Sequence, residues 1–238
     1  MASQAFKAVP SGSAKGGATP LTSVARPRLD SLDLWRGMII VLMALDHTRD
    51  FFEGLTFTPE SLAQTNPALF FTRWLTHFCA PGFFFLAGAG AFLWSTRGKT
   101  HAELSSFLLK HGLWRVLLEI TVIDFGWTFK FTPIASVIWA LGWCMVLLGV
   151  VTWLPAKWVG WIGIAICLLH NLLDPIQSSA FGRLDWLWTL LHRPGVITFH
   201  DSPRFLLAPH PLIPWFGVIA AGYGFGTLMH KPAAERRR

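Results

Sequence analysis

The stretch from residue 28 to residue 52 reads RLDSLDLWRGMIIVLMALDHTRDFF. Its apolar middle has the length of a membrane-spanning helix, which needs about 20 residues at about 1.5 Å each. Four ionisable residues lie near its carboxyl end: Asp46, His47, Arg49 and Asp50. An ionisable group at membrane depth costs about 2.5 kcal/mol or more, so such groups face protein or a wet cavity. The stretch therefore predicts a membrane helix that contributes to a polar site.

The composition of the whole chain is that of a membrane protein. Of its 238 residues, 53% are hydrophobic and only 14% are charged, whereas a soluble domain carries about 25% charged residues. The formal charge is +7, but the basic residues lie at the ends of apolar segments instead of forming one continuous face. This distribution indicates membrane topology, and we predict the lipid bilayer as a partner and no nucleic acid.

Six apolar segments are long enough, or nearly so, to cross a bilayer. They are Leu34–Phe52, Phe71–Ser95, Ser106–Trp127, Pro133–Leu154, Trp158–Leu173 and Pro211–Met229. A seventh, Leu187–Leu191, is too short and indicates an interfacial segment. We therefore predict an all-α fold, a polytopic transmembrane bundle of about six helices.

The ends of the chain differ in composition from this membrane domain, which we assign to residues 28–230. Residues 1–27 are rich in Ser, Gly, Ala and Pro and contain no acid, which predicts a disordered basic tail. Residues 231–238 form a second basic tail. Because positive charge collects on the cytoplasmic side of membranes, we expect both termini in the cytoplasm.

Counting along the segments places further polar residues at the midplane or in the outer half of the bilayer. Two pairs are four residues apart, Arg73 with His77 and Arg115 with Glu119, so each pair shares a helix face. His170 and Asn171 reach a similar level on another segment. Pro81 predicts a kink in the second segment. The sequence therefore predicts one polar pocket built from several helices.

Each of these residues also has a structural interpretation. Arg115 and Glu119 are predicted as an intramembrane ion pair, and a lone histidine can simply hydrogen-bond a neighbour. Two histidines near carboxylates at similar depth favour a proton-handling site, because imidazole serves as a general base near neutral pH. No His-x-x-x-His or Glu-x-x-His spacing is present, so we predict no metal.

Several uncommon strings carry a family resemblance. They are SLDLWRG at 31–37, LMALDHTRDFF at 42–52, RWLTHFCAP at 73–81, HNLLD at 170–174, and PWFG at 214–217 followed by GYGFG at 222–226. The chain resembles bacterial membrane proteins similar to the catalytic domain of heparan-alpha-glucosaminide N-acetyltransferase. The resemblance implies a multi-pass acyltransferase, in which cytosolic acetyl-CoA donates an acetyl group to an amino sugar across the membrane.

The resemblance also implies a set of site residues. The positions that match the bacterial group are Arg36, Asp46, His47, Arg49, Asp50, Arg73, His77, His170 and Asn171. Two features differ from the family pattern. Between residues 53 and 71 there is no histidine, although the eukaryotic enzymes place an active histidine in this connection. Relatives also continue with further membrane helices after residues 222–226, so we expect either a shortened variant or a truncated gene.

Our first hypothesis is an acyltransferase of the bacterial inner membrane that uses acyl-CoA and a glycan or similar small-molecule acceptor. His47 or His77 is the expected base, Asp46 and Asp50 orient the imidazole, and a second set binds substrate: Arg49, Arg73, Arg115, Glu119, His170 and Asn171. Two alternatives stay open, a proton-linked transporter or flippase and an inactive membrane paralogue. Assembly into a homo-oligomer is left open as well.

Overall fold

The computed structural model describes residues 30–52, 54, 57–132, 134–198 and 205–231. The predicted basic tail of residues 1–27 lies outside the described residues, as does almost all of the second tail at 231–238. Within the described part the chain is mainly helical, as predicted. Its α-helices are α1 (Asp30–Phe52), α2 (Pro67–Thr76), α3 (Cys79–Ser95), α4 (His101–Leu118), α5 (Asp124–Thr128), α6 (Val137–Val151), α7 (Ala156–Leu169), α8 (Asp185–Leu191) and α9 (Leu212–Met229).

Three helical stretches of the described chain are long and apolar enough to cross a membrane. They are Pro67–Ser95, which combines α2 and α3, Ala156–Leu173 and Leu212–Met229. Helix α6 is equally apolar but has only 15 residues. The length and apolar composition of these helices support the interpretation of the chain as a membrane protein. The number of six crossing helices and the cytoplasmic position of both termini stay predictions.

The long second span is interrupted where the sequence predicts a kink. Helix α2 ends at Thr76 and α3 begins at Cys79, so His77 and Phe78 form the break. Pro81 has no N–H to donate to the carbonyl oxygen of His77, four residues earlier, and its ring disturbs the preceding turn. The break allows the side chain of His77 to lie beside the loop that precedes α2.

Helices α3, α7 and α9 pack through glycine, which lets their backbones meet. A Cβ atom added at Gly88 of α3 or at Gly222 of α9 would lie 2.0 Å from a carbonyl oxygen of the facing helix. A Cβ at Gly163 of α7 would lie 2.3 Å from a backbone nitrogen of α9. Gly112 and Gly142 bring α4 and α6 together in the same way. Small residues at such contacts are typical of helix packing in lipid.

The core lies between these helices, and α1 packs at its side. Phe84, Leu104, Leu148 and Ile219 are fully buried in the main core. A smaller cluster joins α1 to α3: Leu32, Ile39, Cys79 and Leu86. Helix α1 therefore has one packed side, and its polar carboxyl end projects toward α2.

A small β-sheet corrects the prediction of an all-α fold. Strands β1 (Gly195–Thr198) and β2 (Phe205–Ala208) pair antiparallel, and Leu207 also forms a parallel bridge with Ile134. Three consecutive β-branched residues in β1, Val196 to Thr198, favour an extended strand over a helix. The segment predicted as interfacial, Leu187–Leu191, forms most of α8.

Candidate functional site

The carboxylate of Asp46 is the centre of a hydrogen-bond network between α1 and α2. Its two oxygens lie 3.0 and 2.9 Å from Nη1 of Arg73, and Oγ1 of Thr76 donates to it at 2.7 Å. Arg49, one turn along α1, also donates to Asp46. The side chains of Asp46 and Arg49 are only 15% and 9% exposed. The spacing of three residues within α1 thus lets Asp46 and Arg49 form an ion pair that is largely shielded from solvent.

Arg73 connects this network to the loop before α2. Its Nε donates to Oε1 of Glu60 at 2.9 Å while its Nη1 donates to Asp46. Asn66 caps α2 by accepting a hydrogen bond from the N–H of Leu69, which holds the start of the helix beside this loop. Arg73 therefore ties a loop carboxylate and a helix carboxylate to the same side of α2.

His77 has one nitrogen committed and one directed at Glu60. Its Nδ1 lies 2.8 Å from the carbonyl oxygen of Arg73. A carbonyl can only accept, so Nδ1 carries the proton and donates it. Nε2 lies 3.5 Å from Oε1 of Glu60. In this tautomer a neutral His77 keeps a lone pair on Nε2, the nitrogen that lies beside the carboxylate of Glu60.

A groove of about 390 Å³ opens at this dyad. Its lining residues, which we call the aromatic groove, are Glu60, Phe70, Trp74, His77 and Phe78. Trp74 and Phe78 also meet edge to face, with ring centroids 5.3 Å apart. The groove therefore places an imidazole and a carboxylate against three aromatic rings.

His47 has different surroundings from His77. Its ring meets the ring of Trp127 at 78° with centroids 4.9 Å apart, and Trp127 stacks on Phe51 at 4.7 Å. Its buried Nδ1 finds no hydrogen-bond partner among the described residues. No hydrogen bond or ring contact in this part of the chain joins His47 to His77. The two histidines therefore have different neighbours in the described structure: Trp127 for His47, and Arg73 and Glu60 for His77.

The network contains more negative than positive charge. Among the described residues, Asp46, Asp50 and Glu60 form ion pairs with the guanidinium groups of Arg49 and Arg73. Partial burial opposes ionisation of Glu60, but the hydrogen bond and the positive charge of Arg73 outweigh it and lower the pKa of Glu60 below its usual value. The negative charge of these described carboxylates attracts a cation, such as a protonated imidazole or a cationic substrate.

Asp46, His47 and Asp50 also resemble a metal site in their spacing. One ligand atom from each lies within 4.8 Å of the others. However, both carboxylates already accept hydrogen bonds from Arg49, so a metal ion would have to displace or repel a guanidinium group. The chemistry of the donors favours an ion-pair network.

Comparison with known proteins decides the family. Residues 28–238 match the family model described as heparan-alpha-glucosaminide N-acetyltransferase, catalytic. The chain belongs to this family. No curated protein and no solved structure matches it. The family resemblance inferred from the polar strings is thereby confirmed, and the chain is a member of a membrane acyltransferase-like family.

In this heparan-alpha-glucosaminide N-acetyltransferase family member, the predicted pair on α4 does not form. Nη1 of Arg115 donates to the carbonyl oxygen of His111 at 3.0 Å. Glu119 is 1% exposed and accepts hydrogen bonds from Ser136 and from the backbone of Trp139. The predicted ion pair between Arg115 and Glu119 is therefore wrong, because each side chain has another partner. No described contact joins either residue to Asp46.

His170 and Asn171 also lie apart from the Asp46 network. They begin a 3-10 turn, His170–Leu173, after α7. The ring of His170 meets that of His192 with centroids 6.1 Å apart, and Nε2 of His192 lies 3.0 Å from Oδ1 of Asp174. The single polar pocket expected from helical depth is thus divided into separate groups in the described part of the chain.

Three residues of the site were missed by sequence reasoning. Glu60 lies in a loop without periodicity, and nothing in its neighbours marks it. Thr76 follows Arg73 by three residues and is nearly fully buried, a spacing that could have marked it as a partner. Trp127 resembles any interfacial tryptophan in the sequence, and its contact with His47 depends on the tertiary fold.

Proposed function

We propose that this family member is a membrane acyltransferase in which His77 is the general base. The observation that carries the proposal is the Glu60–His77 dyad, whose two residues line the aromatic groove: Nδ1 of His77 is bonded to a carbonyl oxygen, and Nε2 lies 3.5 Å from Oε1 of Glu60. This observation supports His77 over His47, the other histidine that the sequence left open, as the base. Asp46 and Asp50 serve to hold Arg49 and Arg73 in place.

The reaction is transfer of an acyl group from a thioester to an amine or hydroxyl. Nε2 of His77 accepts the proton of the acceptor as its nitrogen or oxygen forms the new bond to the acyl carbon. The carbon–sulfur bond then breaks, and the leaving thiolate takes up a proton to give the free thiol. Glu60 stabilises the transient imidazolium, and Arg73 provides positive charge near the oxyanion of the tetrahedral intermediate.

We propose acyl-CoA as the donor, with acetyl-CoA the simplest case, and a bacterial inner membrane as the location. Basic residues lie past the far end of the Pro67–Ser95 span from Glu60, where they can attract phosphates. Of these, Lys99 already pairs with Glu103 at 2.9 Å, so Arg97 is the better candidate. A donor at one end and a dyad nearer the other supports transfer across the membrane.

The test is turnover by the purified full chain in lipid nanodiscs. With acetyl-CoA as donor and glucosamine as acceptor, release of free CoA thiol is followed over time. We expect His77→Gln to lower kcat by about 10²- to 10⁴-fold, the usual contribution of a general base. His111→Gln is the matched control, because Nδ1 of His111 lies 2.8 Å from the carbonyl oxygen four residues earlier, as in His77.

The outcomes separate the function from the assignment of the base. Unchanged kcat in His77→Gln would remove this residue from the mechanism while leaving the reaction in place. Acetyl-CoA should also raise the melting temperature of the wild-type protein, because a ligand that binds the native state stabilises it. Absence of both turnover and a thermal shift would refute the proposed function and favour a transporter or an inactive paralogue.

A further inference from the structure

The aromatic groove lies along the first part of a membrane-spanning stretch. Phe70 is three residues after Pro67, where the Pro67–Ser95 span begins, and Phe78 is eight residues further. At about 1.5 Å per residue the groove extends from about 5 Å to about 16 Å along the span. One end of the groove therefore belongs to the membrane interface and the other to the hydrocarbon region.

The groove opens outward and not into the helix bundle. Trp74 is 54% exposed, and Phe78 is exposed to a similar degree. On a membrane-spanning helix such exposed surface meets lipid. A molecule that enters the groove from this side arrives laterally from the bilayer.

Exposed aromatic rings alone indicate only an interfacial belt. Trp161 on α7 is an example, since it is 56% exposed and no ion pair borders it in the described structure. The aromatic groove differs because Glu60 and His77 line the same space as its rings. A polar, proton-accepting dyad beside an apolar wall matches a ligand with a polar head and an apolar tail.

We propose that the groove seats the hydrocarbon chain of an amphiphilic acceptor, whose amine or hydroxyl reaches Nε2 of His77. The inference rests on the proposed acyltransferase function and names the class of acceptor that this site takes. An amine head is favoured, because three carboxylates border two guanidinium groups among the described residues and the carboxylate of Glu60 at the groove attracts an ammonium group. The ammonium group first gives one proton to water, and Nε2 of His77 takes the second proton as the nitrogen forms its bond to the acyl carbon.

Two acceptors with one head group test the proposal in nanodiscs. They are the methyl and the decyl glycosides of glucosamine, with acetyl-CoA as donor. We expect the decyl glycoside to have a KM at least about tenfold lower. Because aromatic anchors dominate binding, the double variant Trp74→Ala and Phe78→Ala should raise that KM by about tenfold at unchanged kcat. Trp161→Ala is the matched control and should leave the KM unchanged.

Partitioning into lipid lowers the apparent KM of the decyl glycoside equally in every variant. An equal KM in the double variant, in Trp161→Ala and in the wild type would therefore overturn the proposal. So would equal kcat/KM values for the two glycosides.

A labelling experiment without turnover keeps the inference separate from the proposed function. A decyl glycoside with a diazirine in its chain is photolysed in nanodiscs, and the labelled peptides are identified by mass spectrometry. We expect labels within residues 70–78, and fewer of them in the double variant. Labels within residues 70–78 without turnover would refute the proposed acyltransferase function. They would still support binding of an amphiphile in the groove. Turnover with labels only outside residues 70–78 would refute the proposal that the hydrocarbon chain of the acceptor binds in the aromatic groove.

Discussion

Replacing Asp46 with asparagine should weaken the junction between α1 and α2 while preserving the size of the side chain. The carboxylate accepts hydrogen bonds from Arg49, Arg73 and Thr76. Asparagine keeps one acceptor oxygen but has no charge. Both guanidinium groups therefore lose the counter-ion that they share.

The exposure of the partners sets the size of the effect. Removing one partner of a fully buried pair costs about 3–5 kcal/mol, and a hydrogen bond to a charged group contributes about 1.5–3 kcal/mol. The side chain of Arg73 is 30% exposed, so solvent recovers part of the loss. We expect the free energy of unfolding to fall by about 2–3 kcal/mol, at the lower end of these combined ranges.

The assay is reversible unfolding of the purified protein in mixed micelles, with Asp33→Asn as the control. Asp33 lies on the same helix and also pairs with the arginine three residues later, Arg36, at 3.2 Å. Both of those side chains are about half exposed, and such a pair contributes about 0–1 kcal/mol. Equal losses in the two variants would refute the view that Asp46 organises the junction.

Three further predictions concern the packing, the loop and the second histidine. Gly88→Ala should cost about 1–3 kcal/mol in the same unfolding assay, because the new methyl group meets the backbone of α9; Gly37→Ala, with open space around it, should not. The stabilisation that Glu60 provides should be complete above pH 4.5 and be lost as the pH falls below it, because the pKa of Glu60 is lower in the folded state than in the unfolded state. Glu60→Gln should therefore have a lower unfolding free energy than the wild type above pH 4.5, and the difference should disappear at lower pH. Trp127→Ala should release the ring of His47, with a changed imidazole ¹⁵N resonance; an unchanged resonance would contradict their contact.

The parts of the fold that follow from local rules were predictable from the sequence. The interruption near Pro81 depends on one missing N–H, and the apolar spans depend on composition and helix length. The antiparallel strands were missed because β1 and β2 are four residues each and, among the described residues, pair with one another and with Ile134 alone. Such short strands have too few residues to show a period.

The site was predictable only where its residues share a helix face. Spacing of four residues placed Arg73 on the same helix face as His77, whereas the Asp46–Arg49 pair, three residues apart, was not predicted. The same rule failed for Arg115 and Glu119, because spacing fixes which face a residue occupies but not its rotamer or partner. Glu119 also begins a π-helical turn, in which its carbonyl accepts from the N–H of Asp124 five residues on. Glu60 could not be predicted, because residues in a loop follow no regular spacing that indicates which of them point the same way.

The glycine-mediated position of α9 between α3 and α7 has a consequence for biogenesis. Ribosomes complete α3 and α7 before α9 exists, so the small-residue strips on both helices first meet lipid instead of protein. Insertion of α3 and α7 into the bilayer therefore precedes their packing against α9. Crosslinking of ribosome-arrested chains of increasing length, with probes at residues 88 and 163, would show at what chain length α9 packs against α3 and α7.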